Sequence, residues 1–174
     1  MIKGGIGGGR TITGLRFEKR VDLRKIFNKS SRYSIKGNDL FFDKEKVAEI
    51  YKKNEVYSSF LKKLNIDWEL LISKRLLPDN SIFVIKNNTW FIIEIKFQKV
   101  AGSVDEKLQT CDFKKKQYQK LVTEKGIKVE YAYILSDWFK SKEYVDVLKY
   151  VNQVGCHYFF KELPLEFLGL PLDE

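Results

Sequence analysis

Glu94 and Lys96 stand two residues apart in a segment with the composition of a β-strand, Trp90–Phe97 (WFIIEIKF). Successive side chains of a strand point to opposite faces, so Glu94 and Lys96 share one face, with Cα atoms about 6 to 7 Å apart. The alternate residues are apolar and point to the other face: Phe91, Ile93, Ile95 and Phe97. The pattern predicts one face that packs in the core and one face, here called the chemical face, that carries Glu94 and Lys96. Gln98 lies on the same chemical face.

A second carboxylate, Asp79, precedes a second strand-like segment, Ser81–Ile85 (SIFVI). Between the two segments, Lys86–Thr89 (KNNT) is suited to a hairpin turn. Such a hairpin pairs the two strands antiparallel and brings Asp79, at the start of the first strand, close to Glu94 and Lys96. Two carboxylates and a lysine are therefore predicted to converge.

This set of side chains suits metal-assisted chemistry on a phosphate. Mg²⁺ takes one or two carboxylates together with waters and substrate phosphate oxygens, a need that Asp79 and Glu94 meet. Lys96 can hold or polarise an attacking water and offset charge that builds on a phosphoryl group. Asp67 is a rival first carboxylate, ranked lower because it lies outside the hairpin. The alternative interpretation makes Glu94 and Lys96 a surface ion pair, worth about 0 to 1 kcal/mol.

The longest predicted helix follows this hairpin. Ser103–Glu106 has the pattern of a capping box at its start, and Gly126 is suited to end it. Apolar residues keep helical spacing along one side: Val104, Leu108, Cys111, Tyr118 and Val122. Lysines occupy the other side: Lys107, Lys114, Lys116 and Lys120.

Spacing and composition predict the remaining elements as well. Four helices are expected: Thr13–Asn28, Lys44–Lys53, Val56–Leu64 and Lys142–Asn152. Three strands are expected: Leu70–Leu77, Tyr131–Leu135 and His157–Phe160. Glu18 and Asp22 fall within the apolar stripe of the first helix, where acids are unusual, and are expected to face a polar pocket. The order of helix, strand meander, helix and strand predicts an α/β or α+β fold with one mixed central sheet flanked by helices.

Size and composition narrow the class of protein. A chain of 174 residues is expected to form a single domain over 1–174, with 1–12 as a flexible glycine-rich basic arm. One histidine and two cysteines, Cys111 and Cys156, cannot supply a zinc cluster, and buried packing is expected for both cysteines. Because the N-terminus has no apolar core and no apolar run approaches a membrane span, a cytoplasmic protein without membrane contact is expected.

The net charge of +9 is unevenly placed. Residues 1–36 carry ten lysines and arginines against two acids, whereas the residues from Asp137 onward are acidic on balance. This asymmetry suits a polyanion such as DNA lying along one side, although a solvated basic surface explains it equally well. Four basic residues are candidates for DNA contact: Arg10, Arg16, Lys107 and Lys114.

Pro78-Asp79 followed by Glu94-Ile95-Lys96 resembles the motif of the PD-(D/E)XK nuclease superfamily. The resemblance covers roughly residues 13–135 and is closest to type II restriction endonucleases. It implies a restriction-endonuclease-like αβββαβ core. It also implies Asp79, Glu94 and the Ile95 carbonyl as metal ligands and Lys96 as the catalytic lysine, with Glu18 as a further metal ligand from the first helix. Gln98 would be an accessory residue of an ExKxQ variant of the motif.

The resemblance further implies Mg²⁺-dependent, sequence-specific hydrolysis of double-stranded DNA to 5′-phosphate and 3′-hydroxyl ends. A homodimer and a cognate DNA methyltransferase as functional partner would accompany that activity. Two alternatives stay open. One is a Holliday-junction resolvase or DNA repair nuclease on the same core, and the other is a noncatalytic DNA-binding subunit.

Overall fold

A seven-stranded mixed sheet forms the centre of the protein, in a computed structural model that describes residues 22–98 and 104–171. The strands lie side by side in chain order: β1 Tyr33–Lys36, β2 Asp39–Phe42, β3 Glu45–Tyr51, β4 Asn80–Val84, β5 Thr89–Lys96, β6 Lys128–Leu135 and β7 His157–Phe160. Neighbours from β1 to β5 pair antiparallel, and β5, β6 and β7 pair parallel. β5 is therefore the strand at which the sheet changes direction.

Short helices cover both faces of the sheet. They are α1 Leu23–Phe27, the π-helical turn α2 Val56–Leu61, α3 Val104–Lys107, α4 Cys111–Val122, α5 Val145–Gln153 and α6 Leu165–Leu168. Single 3₁₀ turns occur at Trp68–Leu70, Leu108–Thr110, Thr123–Lys125, Asp137–Lys140 and Lys142–Tyr144. None of the helices in these described ranges is long and apolar enough to cross a membrane.

Each face of the sheet buries its own hydrophobic core. On one face, Trp90 and Ile92 of β5 pack with α2, α4 and α5, and both cysteines are buried there. On the other face, Phe91 and Ile93 pack with α1 and the C-terminal segment, in which Leu168 is fully buried. The apolar C-terminal segment therefore covers the sheet within the chain itself.

The central hairpin is confirmed. β4 and β5 pair antiparallel from Asn80↔Ile93 to Val84↔Thr89, with Asn88 in the left-handed region at φ +49° within the turn. The long helix is confirmed as the run from α3 through α4, ended by Gly126 at φ +65°. The strands predicted at 131–135 and 157–160 and the helix at 142–152 also form, with small shifts of their ends.

Two predictions are wrong. Lys44–Lys53 is not a helix but contains β3, and Leu70–Leu77 contains no strand. β3 buries Ala48 and Ile50 on one face and Tyr51 on the other, so its apolar residues show no alternation. A strand buried on both faces gives spacings that also fit a helix.

The first predicted helix is also shorter than expected in the part that is described. Asp22 has extended backbone angles and caps α1 by accepting a hydrogen bond from the N–H of Arg24, so α1 begins at Leu23 rather than continuing through Asp22. The Asp22 carboxylate forms an ion pair with Lys52, which ties the start of α1 to the end of β3. The predictions for the N-terminal arm, for Glu18 and for Ser103 lie outside the described residues.

The chemical face of β5 differs from expectation in one respect. Side chains alternate as predicted, but the face that carries Glu94 is buried too, because Trp90 and Ile92 lie on it beneath α4. The polar side chains on this face of β5 are therefore confined to its carboxyl end, at the edge of the hydrophobic core.

Candidate active site

Strand register brings Asp79 to Glu94. The β4–β5 ladder begins with the pair Asn80↔Ile93, and its continuation by one residue places Asp79 opposite Glu94. Residues opposite one another in an antiparallel pair project from the same face. Both carboxylates therefore project toward α4, at the end of the hairpin.

The backbone of Ile95 links the two strands beyond the last ladder pair. Its N–H donates a 2.9 Å hydrogen bond to Asp79 Oδ2. The Lys96 carbonyl points to β6 and accepts a hydrogen bond from the Ser136 N–H at 3.1 Å. Successive carbonyls of a strand point to opposite sides, so the Ile95 carbonyl points toward Asp79. Pro78, which the same register places opposite Ile95, has no N–H to offer that carbonyl.

Glu94 lies between two lysines. Lys96 Nζ is 2.7 Å from Glu94 Oε2, and Lys114 Nζ, from α4, is 3.5 Å from Glu94 Oε1. The side chains are largely withdrawn from solvent, with exposed fractions of 8% for Glu94, 14% for Lys96 and 23% for Lys114. Such burial strengthens electrostatic attraction, since water screens the charges poorly.

The environment of Asp79 disfavours its charged form. Burial raises the pKa of Asp79, and the neighbouring charge of Glu94 raises it further. The Ile95 N–H and the charges of Lys96 and Lys53 act in the opposite direction but do not outweigh these effects. A cation bound between the two carboxylates would stabilise their charged forms and so offset the effects that raise the pKa of Asp79.

Aromatic side chains surround the carboxylates on the core side. Tyr118 of α4 is fully buried, and burial followed by the charge of Glu94 raises its pKa far above the ordinary value. Its hydroxyl has no hydrogen-bond partner among the residues that the structure describes. Tyr133, opposite Glu94 in the β5–β6 register, donates its hydroxyl to the Lys107 carbonyl at 3.1 Å.

Gln98 is buried just beyond the end of β5. Its backbone N–H donates to Ser136 Oγ, and the same hydroxyl donates to the Gln98 carbonyl, both at 3.2 Å. Neither atom of its side-chain amide has a partner among the described residues. The backbone contacts fix the exit of β5 against β6.

The described residues offer a small oxygen-ligand set for a divalent cation. Asp79 and Glu94 would supply carboxylate oxygens, and Ile95 would supply its carbonyl. In residues 22–98 and 104–171 there is no group of three or more His, Cys, Asp or Glu side chains placed to hold a metal. Two carboxylates and a carbonyl suit Mg²⁺, which keeps several waters, better than a cation that needs a closed protein cage.

The remaining sequence candidates are distributed as follows. Lys107 is exposed on α3, and Asp67 caps the 3₁₀ turn at Trp68–Leu70 away from the hairpin. Glu18, Arg10 and Arg16 lie outside the described residues. The sequence interpretation placed Lys114 on a lysine face but did not predict its approach to Glu94.

Sequence reasoning also missed Lys53, whose N–H donates to the Pro78 carbonyl at 3.0 Å. No local spacing signalled it, because the segment containing β3 was interpreted as a helix. For Lys114 a signal existed, since it stands four residues before Tyr118 and therefore on the same side of the helix.

Comparison of the chain with protein-family models, with curated proteins and with solved structures gives no match. Its function has to be inferred from its own residues and their geometry.

Proposed function

We propose that this chain is a Mg²⁺-dependent DNA endonuclease of the PD-(D/E)XK type, with Asp79, Glu94 and Lys96 as its catalytic residues. The observation that carries the proposal is their convergence at one end of the β4–β5 hairpin. The Ile95 N–H holds Asp79 at 2.9 Å, and Lys96 lies 2.7 Å from Glu94. The mixed sheet with helices on both faces is compatible with the restriction-endonuclease-like core that this assignment requires.

The reaction would be hydrolysis of a phosphodiester bond. Water adds to phosphorus, the bond from phosphorus to the 3′ oxygen breaks, and the leaving oxygen takes a proton to give 5′-phosphate and 3′-hydroxyl ends. Bound Mg²⁺ would neutralise phosphoryl charge and lower the pKa of a bound water. Asp79, Glu94 and the Ile95 carbonyl would hold the cation, while the Lys96 ammonium orients the water and offsets developing negative charge.

The substrate we propose is double-stranded DNA cut at a specific sequence by a homodimer, as in type II restriction enzymes, with a methyltransferase protecting the host DNA. The basic excess in residues 1–36 supports a polyanionic substrate. Specificity would come from base-edge contacts outside the catalytic centre, because phosphate contacts alone carry no sequence information.

Cleavage of plasmid DNA tests the proposal directly. Purified protein with Mg²⁺ should convert plasmid to discrete fragments, and EDTA should stop the reaction. Glu94→Gln and Lys96→Ala should each lower the rate by about 10²-fold or more, the usual scale for loss of one catalytic electrostatic group. Glu130→Gln is a matched control because Glu130 is also ion-paired to lysines but lies near the start of β6.

Different outcomes separate the proposal from its rivals. Fragments without defined ends would reject sequence specificity, and faster cleavage of four-way junctions than of linear duplex would favour a resolvase. DNA binding without cleavage under any divalent cation would favour a noncatalytic subunit. Full activity of Lys96→Ala would refute the assignment of the site.

A further inference from the structure

Lys53 lies beside the candidate active site, in the turn that follows β3. β3 ends at Tyr51, which pairs with Ser81 of β4. Two residues later, the Lys53 N–H donates a 3.0 Å hydrogen bond to the carbonyl of Pro78, the residue before Asp79. Lys53 is therefore tied to the segment that carries Asp79, on the side away from Glu94.

The charge of Lys53 is not neutralised by the protein around it. Its side chain is exposed, and within the described ranges it forms no ion pair, whereas the adjacent Lys52 pairs with Asp22. A flexible, unpaired ammonium of this kind is suited to contact a phosphate as a point charge.

The backbone at Lys53 is left-handed, with φ +45°. This conformation is uncommon for lysine, whereas Asn adopts it several times more often. The chain turns at this point to enter α2, so the lysine occupies the corner between β3 and α2.

Polar groups are arranged in a row across this end of the sheet. Lys53 in the turn after β3 is followed by Asp79 beside β4 and by Glu94 with Lys96 on β5. Next comes Tyr133 on β6, whose hydroxyl donates to the Lys107 backbone carbonyl. Strands lie about 4.8 Å apart, so the row from the β3 side to β6 spans about 14 Å. A nucleic-acid backbone lying along it would meet the Lys53 cation first, and then the carboxylate pair with the Lys96 cation.

We propose that Lys53 is a positioning residue that binds the DNA phosphate adjacent to the scissile one, on the β3 side of the site. The substrate strand then runs across the ends of β3 to β6, with its scissile phosphate at Asp79, Glu94 and Lys96. This inference rests on the proposed nuclease function, but it concerns DNA binding, which can be measured without cleavage.

The experiment measures binding of a fluorescently labelled DNA duplex in EDTA at salt concentrations between about 50 and 200 mM, a range over which phosphate contacts change affinity strongly. Lys53→Asn removes the charge and suits the left-handed backbone. Loss of one phosphate contact should reduce the slope of log affinity against log salt by about 0.9. Lys53→Arg should restore the slope, and KM for cleavage should rise in Lys53→Asn while kcat changes little.

Lys125→Asn is the matched control, since Lys125 is an exposed lysine beside Gly126, at the opposite end of the sheet. It should leave the slope and KM unchanged, and thermal melting should show that both variants fold. An unchanged slope and KM in Lys53→Asn would overturn the role of Lys53 while leaving nuclease activity in place. DNA binding with the expected slope change but without any cleavage would refute the nuclease function alone, and a wild-type protein that does not bind DNA would overturn both.

Discussion

Asp79, a metal ligand in the function we propose, occupies a position that disfavours its own charge. Its pKa in the folded protein is raised by burial and by Glu94, whereas in the unfolded chain it titrates near the ordinary value of about 3.9. The ionised form is therefore disfavoured in the folded protein. The free energy of unfolding falls as pH rises from the unfolded pKa through the folded one.

We predict that Asp79→Asn abolishes cleavage and raises the melting temperature in EDTA at neutral pH. The rise should be about 2 to 4 °C, the shift that 1 kcal/mol produces in a protein of this size. The gain should disappear below the unfolded pKa, where wild-type Asp79 is protonated in both states. Thermal melts across pH measure both effects, and equal melting temperatures at neutral pH would contradict the assigned cost of the buried charge.

At the residue scale, the shared face of Glu94 and Lys96 could be predicted from the sequence, but the partners of these side chains could not. The two-residue spacing of Glu94 and Lys96 predicted their shared face because strand geometry fixes it. Lys114 reaches Glu94 only because packing on the sheet sets the rotation of α4 about its axis. Local spacing places Lys114 on the same side of α4 as Tyr118, but it does not specify that rotation.

At the element scale, the segment between α2 and β4 fixes the position of the chain that leads into Asp79. Tyr57 of α2 holds this segment through its hydroxyl, which donates to the Leu76 carbonyl at 3.0 Å and accepts from the Leu76 N–H at 2.8 Å. Arg75 lies over the Trp68 ring, with Cζ 4.6 Å from the centroid. The two contacts anchor the chain just before Pro78.

Tyr57→Phe should remove both hydrogen bonds while keeping the ring. Leaving the two backbone groups of Leu76 without a partner should cost about 1 to 3 kcal/mol in the free energy of unfolding. Hydrogen exchange at the Leu76 amide should accelerate, and kcat should fall because Asp79 is held less firmly. Tyr33→Phe is the control: Tyr33 donates to the Pro171 carbonyl on the other face of the sheet, so it should destabilise the protein without lowering kcat.

The elements that sequence could predict are those buried on one face or bounded by clear turns. The β4–β5 hairpin has a four-residue connection that includes Lys86, Asn87 and Asn88, and the α3–α4 run ends at a left-handed Gly126. The prediction for Lys44–Lys53 was wrong because the spacing of its apolar residues also fits a helix. Pairing with β2 and β4 and burial on both faces make this segment a strand, and local spacing signals neither.

For the whole molecule, the antiparallel β1–β5 region and the parallel β5–β7 region meet at the candidate site. Metal binding at this junction would hold β4 and β5 together, because Asp79 precedes one strand and Glu94 belongs to the other. A ligand that binds only the folded state stabilises the entire domain.

We predict that Mg²⁺ raises the melting temperature of the wild-type protein. At a concentration 100 times the dissociation constant, stabilisation should reach about 2.7 kcal/mol. Glu94→Gln should lose the response, whereas Glu130→Gln should keep it, since the Glu130 carboxylate is held by Lys115 and Lys128 far from the hairpin end. A scan with increasing Mg²⁺ measures the shift, and an equal response in Glu94→Gln would place the cation elsewhere.

Pro78 has a consequence for how this hairpin can change over evolution or in the laboratory. The Pro78 carbonyl accepts from the Lys53 N–H, and the next residue, Asp79, accepts from the Ile95 N–H. Any other amino acid at position 78 would release φ from its fixed value of about −65° and widen the range of positions open to the Asp79 carboxylate. A substitution there would therefore loosen the site without removing any of its side chains.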